Sequence, residues 1–172
     1  IDNGYLSEFK IFAPPLSETV DLSKVGKIGG DYQKGALSDA MDRPTITGDV
    51  VGHYLHLSAG RRAVAFCCSV KHAGNVASKF NESGVPAAVL DGGMDANARA
   101  ETIDRFERGE ILVLCTVDIV SEGFDLPAIE TVILLRPTAS LSLYLQQVGR
   151  ALRLFKGKKF ALILDHVNAY FR

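Results

Sequence analysis

Residues 63–90 read AVAFCCSVKHAGNVASKFNESGVPAAVL, and this stretch decides the predicted fold. Ala63–Cys68 is a continuous apolar run, which is typical of a strand that is covered on both faces. Ser69 can cap a following helix, and a glycine and a proline mark the end of that helix. Its apolar residues recur at helical spacing at Ala73, Val76, Ala77 and Phe80. Ala87–Leu90 is a second apolar strand, so the stretch predicts a strand–helix–strand unit.

The same alternation continues on both sides of this unit. Asp95 can cap a further helix that ends at Gly109. Further strands are predicted at Phe9–Phe12, Ile111–Cys115, Thr131–Leu135 and Phe160–Leu164, and further helices at Asp31–Met41, Thr45–Ser58 and Leu141–Arg153. Strands that alternate with helices predict βαβ units, and therefore an α/β fold with a mainly parallel sheet and helices on its faces.

Composition limits the class of protein. With 172 residues, 47% of them hydrophobic, the chain is the size of one domain and can bury a core. No apolar run reaches the roughly 18 residues that span a bilayer, and no signal peptide is visible. The three cysteines lie in predicted strands without metal-ligand spacing, so we expect buried, reduced thiols in the cytoplasm and no metal site. Because Ile1 replaces an initiator methionine, we expect a fragment of a longer protein.

Charge is unevenly distributed although the net charge is only −1. Between residues 131 and 172 the single acid is Asp165. The cations of this segment are Arg136, Arg150, Arg153, Lys156, Lys158, Lys159 and Arg172. Such a local positive field attracts phosphates, and a solvated basic tail is the alternative.

Residues 141–153, LSLYLQQVGRALR, form the predicted helix with the most unusual composition. Its buried stripe is expected at Leu141, Leu145, Val148 and Leu152. Gln146, Arg150 and Arg153 follow a neighbouring stripe, and arginine suits bidentate contact with phosphate. Gly149 costs about 1 kcal/mol relative to alanine inside a helix, which indicates that a ligand approaches the backbone there. A surface helix with solvated arginines is the alternative.

Ligands of parallel sheets bind beyond the carboxyl ends of the strands. Polar or glycine-rich positions follow the predicted strands at Ser69, residues 91–93, residues 116–118, residues 136–138 and residues 165–166. The turn at Gly92 can hold a phosphate of a nucleic-acid strand, or be a plain tight turn. In the segment after Thr116, Asp125 can accept two hydrogen bonds from the hydroxyl groups of a ribose, and Gly123 allows a ligand to approach the backbone. The alternative is that this segment is an ordinary βα loop with turn-forming residues.

Several nucleotide-site motifs are missing from the chain. It contains no GxxxxGK[ST] loop, no Asp-Glu-x-His or Asp-Glu-Ala-Asp sequence and no GxGxxG. The chain therefore has arginines for a phosphate, but neither a magnesium signature nor a catalytic base.

The motifs together resemble the second RecA-like domain of superfamily-two helicases. Ala63–Ser69 is similar to motif IV, Asp91–Arg99 to motif IVa, Thr116–Pro127 to motif V and Gln146–Arg153 to motif VI. Residues 61–165 carry the resemblance, and the core is assigned to residues 61–172. Residues 1–60 are assigned as a leading segment of the same domain. Two segments resemble those of the DNA-repair and type III restriction-like branch: Ser-Glu-Gly-Phe-Asp-Leu-Pro and Arg-Pro-Thr-x-Ser.

This resemblance implies a three-layer RecA-like fold of the P-loop NTPase type. It also implies that ATP and Mg²⁺ are held mainly by an N-terminal RecA-like domain that is absent from this chain. Arg150 and Arg153 would reach the γ-phosphate as arginine fingers, with help from Gln146. Nucleotide contacts are implied for Gly123, Asp125 and Gly149, and nucleic-acid contacts for Ser69, Gly92 and Thr116.

The resemblance thus predicts a domain of an ATP-dependent helicase or translocase that hydrolyses ATP. Its partners would be the N-terminal RecA-like domain and DNA, with RNA as the alternative, and the isolated fragment would be inactive. Two departures are visible: Val117 separates Thr116 from Asp118 where many relatives have Thr-Asp, and Gln146-Gln147 stands where the DEAD-box branch has His-Arg. A stand-alone RecA-like module that binds nucleic acid or protein is the rival prediction.

Overall fold

The computed structural model describes residues 6–14, 25–29, 31–33, 37, 41, 44–117 and 129–167. The strands are β1 (Phe9–Phe12), β2 (Lys27–Ile28), β3 (Asp31–Tyr32), β4 (Ala63–Phe66), β5 (Ala87–Asp91), β6 (Val113–Val117), β7 (Thr131–Leu134) and β8 (Ala161–Asp165). The helices are α1 (Pro44–Ser58), α2 (Val70–Glu82), α3 (Ala96–Glu107) and α4 (Leu141–Leu152). Within these ranges no helix combines the length and the hydropathy that crossing a bilayer requires.

Six strands form one sheet in the order β1-β8-β7-β4-β6-β5. Every neighbouring pair in it is parallel; Ala65 of β4, for example, is opposite Cys115 of β6 and Ile133 of β7. The predicted parallel α/β sheet is therefore confirmed. Strand β1 pairs with β8, so residues 9–12 of the leading segment lie in the same sheet.

Apolar side chains on alternate residues of the strands fill two separate cores, because successive side chains point to opposite faces. On one face Val64 packs in a cluster with Phe106 of α3 and Val148 of α4. The cluster on the other face includes Ala65, Tyr54 of α1 and Phe80 of α2. Of the four helices given above, two thus cover each face, which gives a three-layer arrangement.

The predicted helix starts are confirmed by capping hydrogen bonds. Ser69 Oγ accepts from the backbone N–H of His72 at 3.2 Å and begins α2. Asp95 Oδ1 accepts from two backbone N–H groups, each at 3.0 Å, at the start of α3. Such caps satisfy donors that the first turn of a helix leaves unpaired.

The prediction of a helix at Asp31–Met41 is wrong at its start. Asp31–Tyr32 is a strand that pairs antiparallel with Lys27–Ile28, and Gly29 turns the chain between them with φ +61°. Leu37 and Met41 are helical and fully buried, so a helical conformation does occur later in the segment. Strands of two residues carry too little periodicity to be recognised beforehand.

Candidate functional site

The arginine-bearing helix α4 begins at the carboxyl edge of the sheet and runs back along it. Ser140 caps its start by accepting a hydrogen bond from Leu143 N at 3.3 Å. At the other end, Leu152 O accepts from the N–H of Ser7 at 2.9 Å, and Ser7 lies two residues before the start of β1. The last turn of α4 therefore lies near the amino edge of the sheet.

The face that α4 buries differs from the predicted one. Leu141 is 70% exposed and Leu145 56% exposed, so the first half of the expected stripe is wrong. The buried residues are Gln147, Val148 and Ala151. Helix α4 packs on the sheet through this set, and successive helical positions are about 100° apart. The two leucines consequently face outward.

The motif of glutamine, glycine and arginine lies in the second half of α4. Gln146 is exposed, and its Nε2 lies 3.5 Å from Ser142 Oγ. Gly149 and Arg150 are half-buried. A Cβ added to Gly149 would meet no described atom within 4 Å, apart from its own helix backbone. The helix backbone is therefore open at Gly149, beside a stripe that carries Gln146 and Arg150 at i and i+4.

Lys158 holds the end of α4 and was not predicted as a site residue. Its Nζ donates to the backbone oxygens of Ala151 and of Arg153, the latter at 3.0 Å. Arg153 is exposed and ends the helix in an extended conformation, with ψ 135°. Burial, and then the charge of Arg61, lowers the pKa of Lys158 to about 8. A basic residue shortly after a helix end is a known partner of the last carbonyls, and this signal could have identified it.

The glycine turn after β5 lies at the carboxyl edge. Asp91 Oδ1 accepts from Gly93 N at 2.7 Å, and a Cβ on Gly93 would come within 3.0 Å of that oxygen. Arg99 Nη2 donates to the carbonyls of Gly92 at 3.1 Å and Met94 at 3.2 Å. These bonds tie the carbonyls of the turn to α3 and leave Gly92 exposed.

Thr116 and Ser69 also lie at the carboxyl edge, but their side chains are engaged. Thr116 is 1% exposed, its hydroxyl donates to Ala65 O at 3.4 Å, and its carbonyl accepts from Cys67 N at 2.8 Å. This weighs against a nucleic-acid contact through the Thr116 side chain, and the contact stays a prediction. Ser69 Oγ serves as the cap of α2. Gly123 and Asp125 lie outside the described residues.

The predicted site residues consequently form two groups. Ser69 follows β4, Gly92 follows β5 and Thr116 is the penultimate residue of β6, so all three lie at the carboxyl edge. Arg150 lies about 14 Å along α4 from its first residue, at 1.5 Å per helical residue, and so towards the amino edge. Among the described residues, this grouping separates those with implied nucleic-acid roles from Arg150, which has an implied role at the nucleotide.

Asp31 joins the small β2–β3 hairpin to the loop that precedes α4, and sequence reasoning missed it. Its Oδ2 lies 3.2 Å from Nη2 of Arg136. Its Oδ1 accepts from Thr138 Oγ1 at 3.1 Å and from Ala139 N at 2.9 Å. A local sequence pattern cannot predict a contact between residues that are so far apart in the sequence.

Two histidines pack together where β8 ends. The rings of His53 and His166 are 5.1 Å apart, and that of Phe12 lies 4.6 Å from His53. Burial, and then the neighbouring His53, lowers the pKa of His166 to about 3. In the part of the chain that the structure describes, no three His, Cys, Asp or Glu side chains are grouped to bind a metal ion.

A family model described as "Helicase conserved C-terminal domain" matches residues 47–155. Among known relatives, a 51.5 kDa protein of a Lactococcus phage is 38% identical over 167 residues, which cover 97% of this chain and 36% of that protein. The putative ATP-dependent helicase IRC3 of Saccharomyces cerevisiae is 30% identical over 172 residues, which cover 98% of this chain and 25% of that protein. The chain thus spans only about a third and a quarter of these two relatives.

The fold has solved counterparts. The Escherichia coli DEAD-box protein SrmB, crystallised with regulator of ribonuclease activity A, superposes with a TM-score of 0.63 at 20% identity over 94% of this chain and 77% of that chain. At this identity the likeness concerns the fold. The family match and the parallel three-layer sheet together identify the family of this chain. The chain belongs to the helicase conserved C-terminal domain family and has the fold of the second RecA-like domain of such proteins.

Proposed function

We propose that this domain completes the ATP site of a nucleic-acid-dependent helicase or translocase by supplying arginine fingers from α4. The observation that carries the proposal is the second half of α4. There, Gln146 and Arg150 share a stripe beside Gly149, whose backbone is open towards the outside. Among the described residues nothing else occupies the space above Gly149, so a triphosphate held by another domain can approach it.

The chemistry of the two arginines suits phosphoryl transfer. Negative charge spreads over the oxygens of the transferred phosphoryl group, and a guanidinium offers several fixed donors to such oxygens. Arg150 lies within α4 and Arg153 at its end, one turn apart, so both can face one phosphate chain. Gln146, one turn earlier, is placed to assist. Bound Mg²⁺ would neutralise part of the phosphate charge, and we assign its ligands to the N-terminal RecA-like domain.

Nucleic acid is assigned to the carboxyl edge. The exposed Gly92 turn there is held in shape by Arg99 and Asp91, which prepares its backbone for contact with phosphates. Ser69 and Thr116 neighbour the turn, with the reservation that the Thr116 side chain is buried. We propose DNA as the track, because the sequence resembles the DNA-repair and type III restriction-like branch. Asp125 and Gly123 are proposed as contacts to the nucleotide, with Asp125 at the ribose.

The proposed location is the cytoplasm. Cys67, Cys68 and Cys115 are buried thiols that form no disulfide, and thiols persist in a reducing compartment. The N-terminal RecA-like domain of the same protein is the proposed partner that closes on α4.

The test uses the full-length protein that contains this chain. Steady-state ATP hydrolysis is measured with and without DNA or RNA of the same sequence. Wild type is expected to be stimulated more by DNA, and Arg150→Ala to lose about a thousandfold or more in turnover, the usual contribution of an arginine finger. Arg105→Ala is the matched control, because Arg105 is an exposed arginine in α3 that pairs with Glu110 at 3.4 Å.

The outcomes separate the two functional classes. Turnover that survives in Arg150→Ala would contradict the finger assignment. A full-length protein that binds nucleic acid but shows no stimulated hydrolysis would favour a non-catalytic binding module instead. Stronger stimulation by RNA would correct the proposed track and leave the role of the domain in place.

A further inference from the structure

The first half of α4 has less apolar contact with the rest of the domain than its second half, although Tyr144 packs against the core. Leu141 and Leu145 are 70% and 56% exposed, and Tyr144 is half-buried. The fully buried residues of the helix are Gln147, Val148 and Ala151, all in its second half. Burial therefore fixes α4 mainly through its second half, and the direction of the helix axis depends in part on polar contacts at its start.

The carboxylate of Asp31 supplies such contacts. It binds the loop before α4 at three points, through Arg136 at 3.2 Å, Thr138 Oγ1 at 3.1 Å and Ala139 N at 2.9 Å. The side chains of Asp31 and Arg136 are only 22% and 11% exposed. Charge-assisted bonds in such a partly buried setting are stronger than those between neutral groups.

A chain of hydrogen bonds continues from this carboxylate into the helix. Thr138 Oγ1 accepts from Ser140 N at 3.0 Å, and Ser140 Oγ accepts from Leu143 N at 3.3 Å. Ser140 is the residue that caps α4. The β2–β3 hairpin is thus connected, bond by bond, to the first turn of the arginine helix.

We propose that Asp31 is a positioning residue that sets the orientation of α4 and thereby aims Gln146 and Arg150. The proposal rests on the finger role of Arg150 described above. Without the carboxylate, the loop at residues 136–140 is released, and α4 can tilt as a rigid helix about its buried residues, which displaces the side chains of Gln146 and Arg150. A misplacement of about 1 Å at a reacting group can lower a rate by about a hundredfold.

The experiment compares kcat and KM for ATP in the full-length protein and in its Asp31→Ala and Asp31→Asn variants. Asp31→Ala is expected to lower kcat by about ten- to a hundredfold, the range that a small misplacement produces, with KM nearly unchanged. The kcat of Asp31→Asn is expected to lie between those of wild type and Asp31→Ala, because its amide oxygen can still accept hydrogen bonds from Thr138 and Ala139. Amide hydrogen exchange at Ala139 and Leu143 should accelerate in Asp31→Ala.

Glu130→Gln is the matched control for stability. Glu130 lies just before β7, and Arg136, the partner of Asp31, lies shortly after it. The carboxylates of Glu130 and Asp31 therefore make their contacts at opposite ends of one strand. The Glu130 side chain is 25% exposed, lies 3.5 Å from Arg61 and accepts from the N–H of Arg62 at 3.2 Å. Glu130→Gln should lower the free energy of unfolding about as much as Asp31→Ala does, and its kcat should equal that of wild type. Equal kcat in Asp31→Ala and Glu130→Gln would overturn the positioning role.

Two further variants keep the result interpretable. If Asp31→Ala does not fold, Thr138→Val breaks the relay to Ser140 but leaves the Arg136 pair; a folded Thr138→Val protein with wild-type kcat would then overturn the proposal. Arg150→Ala separates the two proposals. If it loses turnover while Asp31→Ala retains it, only the positioning role fails, and if Arg150→Ala keeps turnover, both proposals fail.

Discussion

At the scale of single residues, Gly149 is the position where helix stability and the proposed function make opposite demands. A glycine inside a helix is less favourable than alanine by about 1 kcal/mol. A Cβ at this position would meet no atom of the described residues within 4 Å, leaving out its own helix backbone. Packing within the described domain therefore gives no reason for glycine, and the reason is expected in a ligand held by another domain.

Gly149→Ala should accordingly stabilise the domain by about 0.5–1 kcal/mol and lower ATP turnover of the full-length protein. Gly74→Ala in α2 is the matched control, because Gly74 is also helical with open space at its Cβ position. It should stabilise to a similar extent without changing turnover. Denaturant unfolding and steady-state hydrolysis measure the two effects. Turnover that is unaffected by Gly149→Ala would remove the nucleotide role of this residue.

His166 makes the stability of the fold depend on pH. Burial and the neighbouring His53 lower its pKa from 6.5 to about 3, so between these values the unfolded chain binds more protons than the folded one. Stability is then fully present above pH 6.5 and falls on acidification by at most about 1.4 kcal/mol per pH unit. Urea unfolding at pH 7 and pH 5 should show a loss of about 2 kcal/mol. His166→Gln should reduce this loss, and an unchanged pH dependence would rule out His166 as its source.

At the scale of elements, α4 shows what hydropathy can and cannot decide. Its amphipathic composition predicts a helix, and a helix is present. Because leucines at i and i+4 usually face the core, Leu141 and Leu145 were predicted to be buried. In the structure both point outward, while Gln147 is only 2% exposed. Which of two adjacent stripes faces the sheet is decided by packing against β7 and β8, and that information is not local to the helix.

Truncation of one residue on each stripe tests this orientation. Val148→Ala should lower the free energy of unfolding by about 1–3 kcal/mol, because it removes buried methyl groups from the core beside α4. Leu145→Ala removes more atoms, but from a side chain that is 56% exposed, and should cost at most about 0.5 kcal/mol. Chemical denaturation of both variants at one pH gives the comparison. A larger loss for Leu145→Ala would mean that the predicted leucine stripe was correct.

The strands could be predicted from sequence to different degrees for a physical reason. Strands β4 and β7 are buried on both faces, so their apolar runs are continuous and unmistakable. The β2–β3 hairpin has two residues per strand and no periodicity, so Asp31–Tyr32 was mistaken for the start of a helix. The contacts of Asp31 were missed for a related reason, since they join residues 105 and 107 positions apart.

At the scale of the whole molecule, the domain separates its two candidate surfaces. Gly92 and Ser69 lie at the carboxyl edge, where parallel sheets bind ligands. Arg150 and Arg153 lie at the opposite end of a helix that spans the sheet. The residues of both groups were named from the sequence, in part through family resemblance, and their roles stay predictions. Their separation became visible only from the direction of α4, because the motif order alone does not show where a helix ends in space.

We expect Arg150 to act on the chemical step of ATP hydrolysis rather than on the binding of ATP. The most direct test is a single-turnover measurement on the full-length protein at saturating ATP and DNA, comparing wild type with Arg150→Ala. In Arg150→Ala the cleavage rate should fall by about a thousandfold or more. ATP affinity should change only severalfold, because the other domain holds most of the nucleotide. A cleavage rate equal to that of wild type would contradict the account.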